Sequence, residues 1–291
     1  MIPRGVLAFL GISFGLAWTV WEVLASRGFG PGDPRVALYT LCASFAPAVA
    51  AVVVRTAVTR EGFADAGLRP RLKRSWPYYL AAWLLPLPAA ALVLWLGQVL
   101  GLAQPDWTLA RGVAELVSRA PDAGAYLKGA GTARVVGSAL FASLAGSLVF
   151  FGEEFGWRGW LQQRIAPGRP LRAAVVTGLV WSLWHLPLNL RGYNFPGHPV
   201  SGQIAFTASL VCLSIIFGWL RECSGSIWCA SLAHAATNSI GGSLVALALA
   251  GGADAGGVAV AYFGWLGLVP LGGLALWIVM SGRLAPLAEA A

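Results

Sequence analysis

Apolar residues run along this chain in blocks of about 20, separated by short polar stretches rich in Gly, Pro and Arg. Eight blocks can be drawn, at roughly 5–26, 36–55, 76–102, 135–160, 171–190, 203–221, 225–250 and 257–281. A helix of about 20 apolar residues matches the thickness of a bilayer's hydrocarbon core. Inside lipid every backbone polar group must be satisfied within the chain, which a helix does by itself. The pattern therefore predicts an all-α, polytopic membrane protein with about eight transmembrane helices. Turn residues mark the connections, as in 28–34 (GFGPGDP), 167–170 (PGRP) and 251–254 (GGAD). The longest connection, 104–134, carries Trp107, Leu109, Val113, Leu116 and Val117 at spacings that suit an interfacial amphipathic helix.

Composition sharpens this picture. Of 291 residues, 57% are hydrophobic and only 11% charged, against about 25% charged in a soluble domain. Mean hydropathy is +0.70. Too few polar residues exist to cover a surface that faces water. Length alone would suggest two domains, but spanning helices packed side by side form one unit. One transmembrane domain, 1–291, is expected, with a catalytic core at about 135–250. The first block has one Arg before it and no clear small-residue cleavage site, so it reads as a retained span.

The formal charge is +8. In a soluble protein that would raise nucleic acid as a partner. Here no basic run lies outside a short loop, so lipid headgroups are expected as the partner and nucleic acid is not. With the N-terminus inside, the inner segments hold 13 Lys and Arg and the outer ones 7. The difference rests mainly on Arg55, Arg60, Arg69, Arg71, Lys73 and Arg74. Both termini are therefore expected in the cytoplasm. Cys42, Cys212, Cys223 and Cys229 show no metal-ligand pairing and read as small buried hydrophobes.

Polar residues inside apolar blocks are rare, and three groups stand out. In Glu153-Glu154, flanked by Phe151, Phe155 and Trp157, the two carboxylates diverge by about 100° on a helix. Glu154 and Arg158 share a face at i,i+4 and suit an ion pair. Glu153 is left free for proton transfer. The alternative is a charged helix end at the interface. His185, in Trp181-Ser182-Leu183-Trp184-His185-Leu186-Pro187, is either a hydrogen-bonded core residue or a cavity residue; Pro187 bends the helix beside it. His234 and Asn238, again i,i+4, can either join two helices or donate to a developing oxyanion. His198 lies in a Pro/Gly-rich loop and reads as solvated.

Taken in order, Glu153-Glu154-x-x-x-Arg158, aromatic-x-x-x-His185 and His234-x-x-x-Asn238 resemble the type II CAAX prenyl endopeptidase family. That family includes bacterial CAAX proteases and bacteriocin-processing, or self-immunity, proteins. The surrounding FGEEFGWRGWLQQR, WHLP and LAHAATN are similar too, so the resemblance covers about 135–245. It implies an intramembrane endopeptidase acting on a peptide or protein substrate, which in the family's eukaryotic members is prenylated at a C-terminal Cys. By the same resemblance Glu153 would activate water, His185 would hold that water, and His234 and Asn238 would bind the oxyanion. Glu154 and Arg158 would support the site, with Arg158 also attracting the substrate's carboxylate. Trp157 and Trp181 are expected to line the cavity. Trp181 stands where the family usually has Phe. The Ala/Gly/Arg-rich chain is similar to the prokaryotic branch, which implies a prokaryotic cell membrane.

On these boundaries, at about 1.5 Å per residue, His185 lies roughly 20 Å along its helix, on the side away from Glu153. The mechanism needs them together. No cofactor is expected; Zn²⁺ is a minor alternative, because the H-E-x-x-H spacing is absent. Two other classes fit parts of the pattern. A transporter would use the same groups as a proton relay, though the polar residues sit in one half only. An immunity protein would keep the fold and bind a peptide toxin without turnover.

Overall fold

The computed structural model describes residues 3–31, 33–119, 125–250 and 257–284, and among them the chain is helical with no strand. The 251–254 turn and Gly32 lie outside the described residues. Six helices are long and apolar enough to cross a membrane: α1 (Arg4–Ser26), α2 (Pro34–Val58), α3 (Leu72–Val99), α5 (Thr132–Arg164), α8 (Pro199–Ser224) and α9 (Ile227–Leu249). Between them lie α4 (Ala110–Arg119), α6 (Pro170–Trp184) and α7 (Leu186–Leu190), and α10 (Leu268–Met280) follows.

Every expected block is helical, but two are shorter than a span. The block at 171–190 divides at His185, where α6 ends and α7 begins with Pro187 in its first turn. Pro187 has no N–H to continue the ladder. In the last block the helix starts only at Leu268. The amphipathic segment is helical from Ala110, so Trp107 and Leu109 precede it. All four cysteines are free; Cys229 is buried, whereas Cys42 is exposed, contrary to expectation.

Local chemistry sets the ends. Asp33 caps α2, its carboxylate accepting from the Arg35 backbone N–H at 2.8 Å, with Pro34 at the first helical position. Gly225, at φ 64°, ends α8 in the left-handed region that Gly tolerates. Ser226 then caps α9, accepting from the Trp228 N–H.

Glycines decide how closely the helices meet. A Cβ at Gly156 would lie 2.3 Å from Pro47 Cβ, and one at Gly152 would lie 2.8 Å from the Ser44 carbonyl oxygen. The pair Gly152-x-x-x-Gly156 therefore draws α5 onto α2, as small residues four apart do in membranes. Gly178 does the same between α6 and α8, where a Cβ would meet Val211 Cα at 2.7 Å. Behind α5, Phe9 of α1 stacks on Trp160 and meets Trp157 edge-on. Trp21 of α1 meets Trp184 of α6 edge-on, and Trp18 donates its indole N–H to the Trp184 carbonyl at 2.9 Å.

A charged clasp closes one end of this assembly. Arg55, fully buried, pairs with Asp65 at 2.8 Å and donates to the Gly159 carbonyl at 3.0 Å. Arg164 reaches the same Asp65 at 2.7 Å and Glu61 at 3.0 Å. The end of α2, its following loop and the end of α5 are thus tied together. Partial burial pushes the Asp65 carboxyl up, but bonds from Arg55 and Arg164 outweigh it and hold it at about 2.

Candidate active site

α5 and α6 form a hairpin about the turn at 165–169. Because α5 continues to Arg164, Glu153 and Trp181 stand about equally far from that turn and face each other. This resolves the roughly 20 Å separation expected from shorter helices. The Trp181 indole N–H donates to Glu153 Oε2 at 2.7 Å. The Trp157 indole N–H approaches the same oxygen at 3.4 Å. Among the described residues Glu153 Oε1 has no hydrogen-bond partner, and Glu153 lines a cavity of about 720 Å³. That volume lies within the range of small-molecule and cofactor sites.

His185, one turn beyond Trp181, lines the same cavity. Its Nδ1 lies 2.9 Å from the Trp181 carbonyl. A carbonyl only accepts, so Nδ1 carries the hydrogen, and in the neutral ring Nε2 is left as an acceptor. His234 of α9 enters from the opposite helix. It stacks on Phe150 with centroids 4.2 Å apart, and its Nδ1 meets Glu154 Oε1 at 2.9 Å. With Nδ1–H pointing at a carboxylate, His234 can donate toward the cavity only through Nε2, and only when protonated. Asn238, at the start of the π-helical turn Thr237–Gly242, lines the cavity too, and its side chain has no hydrogen-bond partner among the described residues. A second π turn, Trp157–Leu161, follows the Glu153-Glu154 pair. Such turns, rare elsewhere, are frequent at functional sites.

Glu154 and Arg158 form the expected ion pair, at 2.7 Å with both side chains fully buried. Glu154 Oε1 accepts from both Arg158 and His234. The Arg158 guanidinium also lies 4.5 Å from the Trp181 ring centroid and 5.1 Å from that of Phe217. Two expectations change here. Arg158 does not line the large cavity but a smaller one beside Gln162 and Arg221, so it does not face a substrate carboxylate in the large one. Trp157 is not a cavity residue either; it is sealed behind Glu153 against Phe9 and Trp184. Trp181 does line the cavity.

Thr40 and Ser44 of α2, Tyr193 and Asn194 after α7, and Thr237 and Ser243 of α9 add to the polar part of the wall. Phe206, Leu210 and Leu213 of α8 make an apolar one. The α2 residues had no distinguishing signal in the sequence. Asn194 had one, being a polar residue close to a motif; it donates to Asn189 at 2.6 Å. Among the described residues no three His, Cys, Asp or Glu side chains gather closely enough to hold a metal ion. His185 and His234 each commit Nδ1 elsewhere, which would leave a metal only Nε2 from each ring.

A buried carboxylate with a free oxygen, two histidines and an amide thus line one cavity inside a helical membrane protein. Residues 135–240 match the family model described as type II CAAX prenyl endopeptidase Rce1-like. The matched stretch contains Glu153, Glu154, Arg158, Trp181, His185, His234 and Asn238. The match supports, at family level, a CAAX-type membrane protease that acts on peptide or protein substrates. No curated protein matches the chain.

Proposed function

We propose that this protein is a glutamate-type intramembrane endopeptidase that removes a C-terminal peptide by activating water, without a metal. One observation carries this reading: Glu153, His185, His234 and Asn238, from three helices, line a single cavity.

The chemistry follows from the atoms that face that cavity. Glu153 Oε1 takes a proton from water. His185 Nε2 accepts the water's other hydrogen and so aims its oxygen. The hydroxide attacks the scissile carbonyl. The Asn238 side-chain N–H and the Nε2–H of protonated His234 stabilise the tetrahedral oxyanion. Glu153 then passes its proton to the leaving amine, and the C–N bond breaks. No acyl-enzyme forms.

The oxyanion role requires a proton on His234 Nε2. With Arg158 offsetting one of the two carboxylates, one further proton, on His234 or on a carboxylate, leaves the cluster neutral, as a low-dielectric interior favours. The whole chain works as one helical unit, with its catalytic core at 135–250. The protein resides in a prokaryotic cell membrane with both termini in the cytoplasm. Accessibility of single cysteines introduced at the termini to an impermeant thiol reagent tests that orientation.

Activity is tested with purified protein in liposomes and a fluorogenic peptide carrying a farnesylated C-terminal CAAX sequence. Wild type cleaves it, Glu153→Ala does not, and a zinc chelator changes nothing. Loss of cleavage with chelator would transfer the mechanism to zinc. Cleavage of an unprenylated peptide alone would remove prenyl groups from the substrate. No cleavage of any peptide would favour a peptide-binding immunity protein or a transporter.

A further inference from the structure

One residue touches four of the five charged or titratable members of the site. Trp181 donates its indole N–H to Glu153 Oε2 at 2.7 Å. Its ring covers the Arg158 guanidinium at 4.5 Å and meets His234 edge-on at 5.0 Å. Its backbone carbonyl takes the Nδ1–H of His185 at 2.9 Å. The residue is 2% exposed, so its own position is fixed by packing.

We propose that Trp181 is the positioning residue of this site, its indole N–H choosing which oxygen of Glu153 serves as the base. The inference rests on the hydrolytic reading of Glu153. A free carboxylate can rotate about its last bond and present either oxygen. Here Oε2 is held by Trp181 and, more weakly, by Trp157 at 3.4 Å. Only Oε1 remains for water. The geometry is thereby set before substrate arrives, and little is left to order during the reaction.

The bond also favours the charged form of the carboxylate, since the indole can only donate. A Phe at 181, the residue usual in the resembled family, would keep the ring over Arg158 and the carbonyl for His185. It would remove the N–H and, with it, part of the indole ring. Trp181→Phe tests the N–H, and a benzothienyl-alanine at 181, which keeps the ring's shape, separates that loss from the loss of volume.

Three variants are compared with wild type on whichever peptide wild type cleaves. Trp181→Phe lowers kcat about 10- to 100-fold, the range for one hydrogen bond to a charged group, with KM little changed. The acid limb of its kcat profile moves up by about one pH unit, because a donor that favours the carboxylate is gone. Trp157→Phe, which removes the longer contact, changes both less. Glu153→Gln abolishes cleavage and tests the hydrolytic reading itself. The infrared carboxylate stretch of Glu153, found as the band lost in Glu153→Gln, shifts in Trp181→Phe whether or not any peptide is cleaved. If Trp181→Phe does not fold, the same measurements use a benzothienyl-alanine at 181, which keeps the indole's shape without its N–H. An unshifted acid limb and carboxylate band would overturn the proposal. Lost cleavage in Glu153→Gln together with those unshifted signals would leave the hydrolytic reading standing.

Discussion

His234 and Glu154, 80 residues apart in the chain, meet at 2.9 Å on an oxygen that also takes a hydrogen bond from Arg158. Glu154 is thus a counter-charge shared by two helices. Glu154→Ala leaves a fully buried guanidinium without its carboxylate. The expected loss is about 3–5 kcal/mol of stability, the cost of breaking a buried pair by removing one partner. Unfolding in detergent by a denaturant titration measures it. Glu154→Gln keeps the shape but weakens the support for a charged His234, so it should fold better than the alanine variant and still lose activity.

Asn238 offers an unengaged donor to the cavity. Asn238→Ala is expected to lower kcat by about 10²–10³, the effect of removing one oxyanion donor, with a smaller change in KM. Steady-state kinetics separates the two. A loss confined to KM would mean that Asn238 binds the ground state and not the oxyanion.

Gly156 presses on Pro47, and no side chain fits between them. Gly156→Ala should cost about 1–3 kcal/mol or more, since the obstructing atoms include the Pro47 backbone. Gly146→Ala is the control: its added Cβ would meet Ala235 Cβ at 3.4 Å, far less severe than the contact at Gly156. Comparable losses at the two positions would show that α5 can shift away from α2 without penalty.

The Arg55–Asp65–Arg164 clasp makes stability depend on acid. The Asp65 carboxyl lies at about 2 in the folded protein, below its ordinary 3.8. Its contribution is therefore fully present above about 4 and fades as pH falls toward 2. Partial exposure of Asp65 screens the pair and keeps the effect modest. Thermal unfolding of wild type and Asp65→Asn between pH 6 and pH 2 should converge at the acid end. Parallel curves throughout would rule out this linkage.

The blocks of apolar residues and the three polar motifs were legible because charge inside a membrane is costly and therefore conspicuous. The ion pair of Glu154 with Arg158 followed from helical spacing alone. Which of two tryptophans faces the cavity did not. Trp157 and Trp181 both adjoin a motif, and the π turn that starts at Trp157 alters the local register in a way no residue type announces. The part played by α1 and α2 was hidden for another reason. In lipid the outside of a helix is as apolar as its inside, so Ala37 and Leu41 against the cavity look like any lipid-facing pair. Depth failed through a boundary. A helix ending at Arg164, past the expected 160, moved Glu153 level with Trp181.

The wall that α2 gives to the cavity carries hydroxyls and aliphatic groups but no side chain that takes up or releases a proton near neutral pH. On the proposed mechanism chemistry and fit are housed in different segments: α5, α6 and α9 would act on the bond, while α2 and α8 would shape the space that receives the chain being cut. Exchanging residues at 37, 40, 41 and 44 should redirect the protein to a differently shaped occupant while leaving the rate of bond breaking, once bound, largely as it was. A tool for trimming new peptides could begin there.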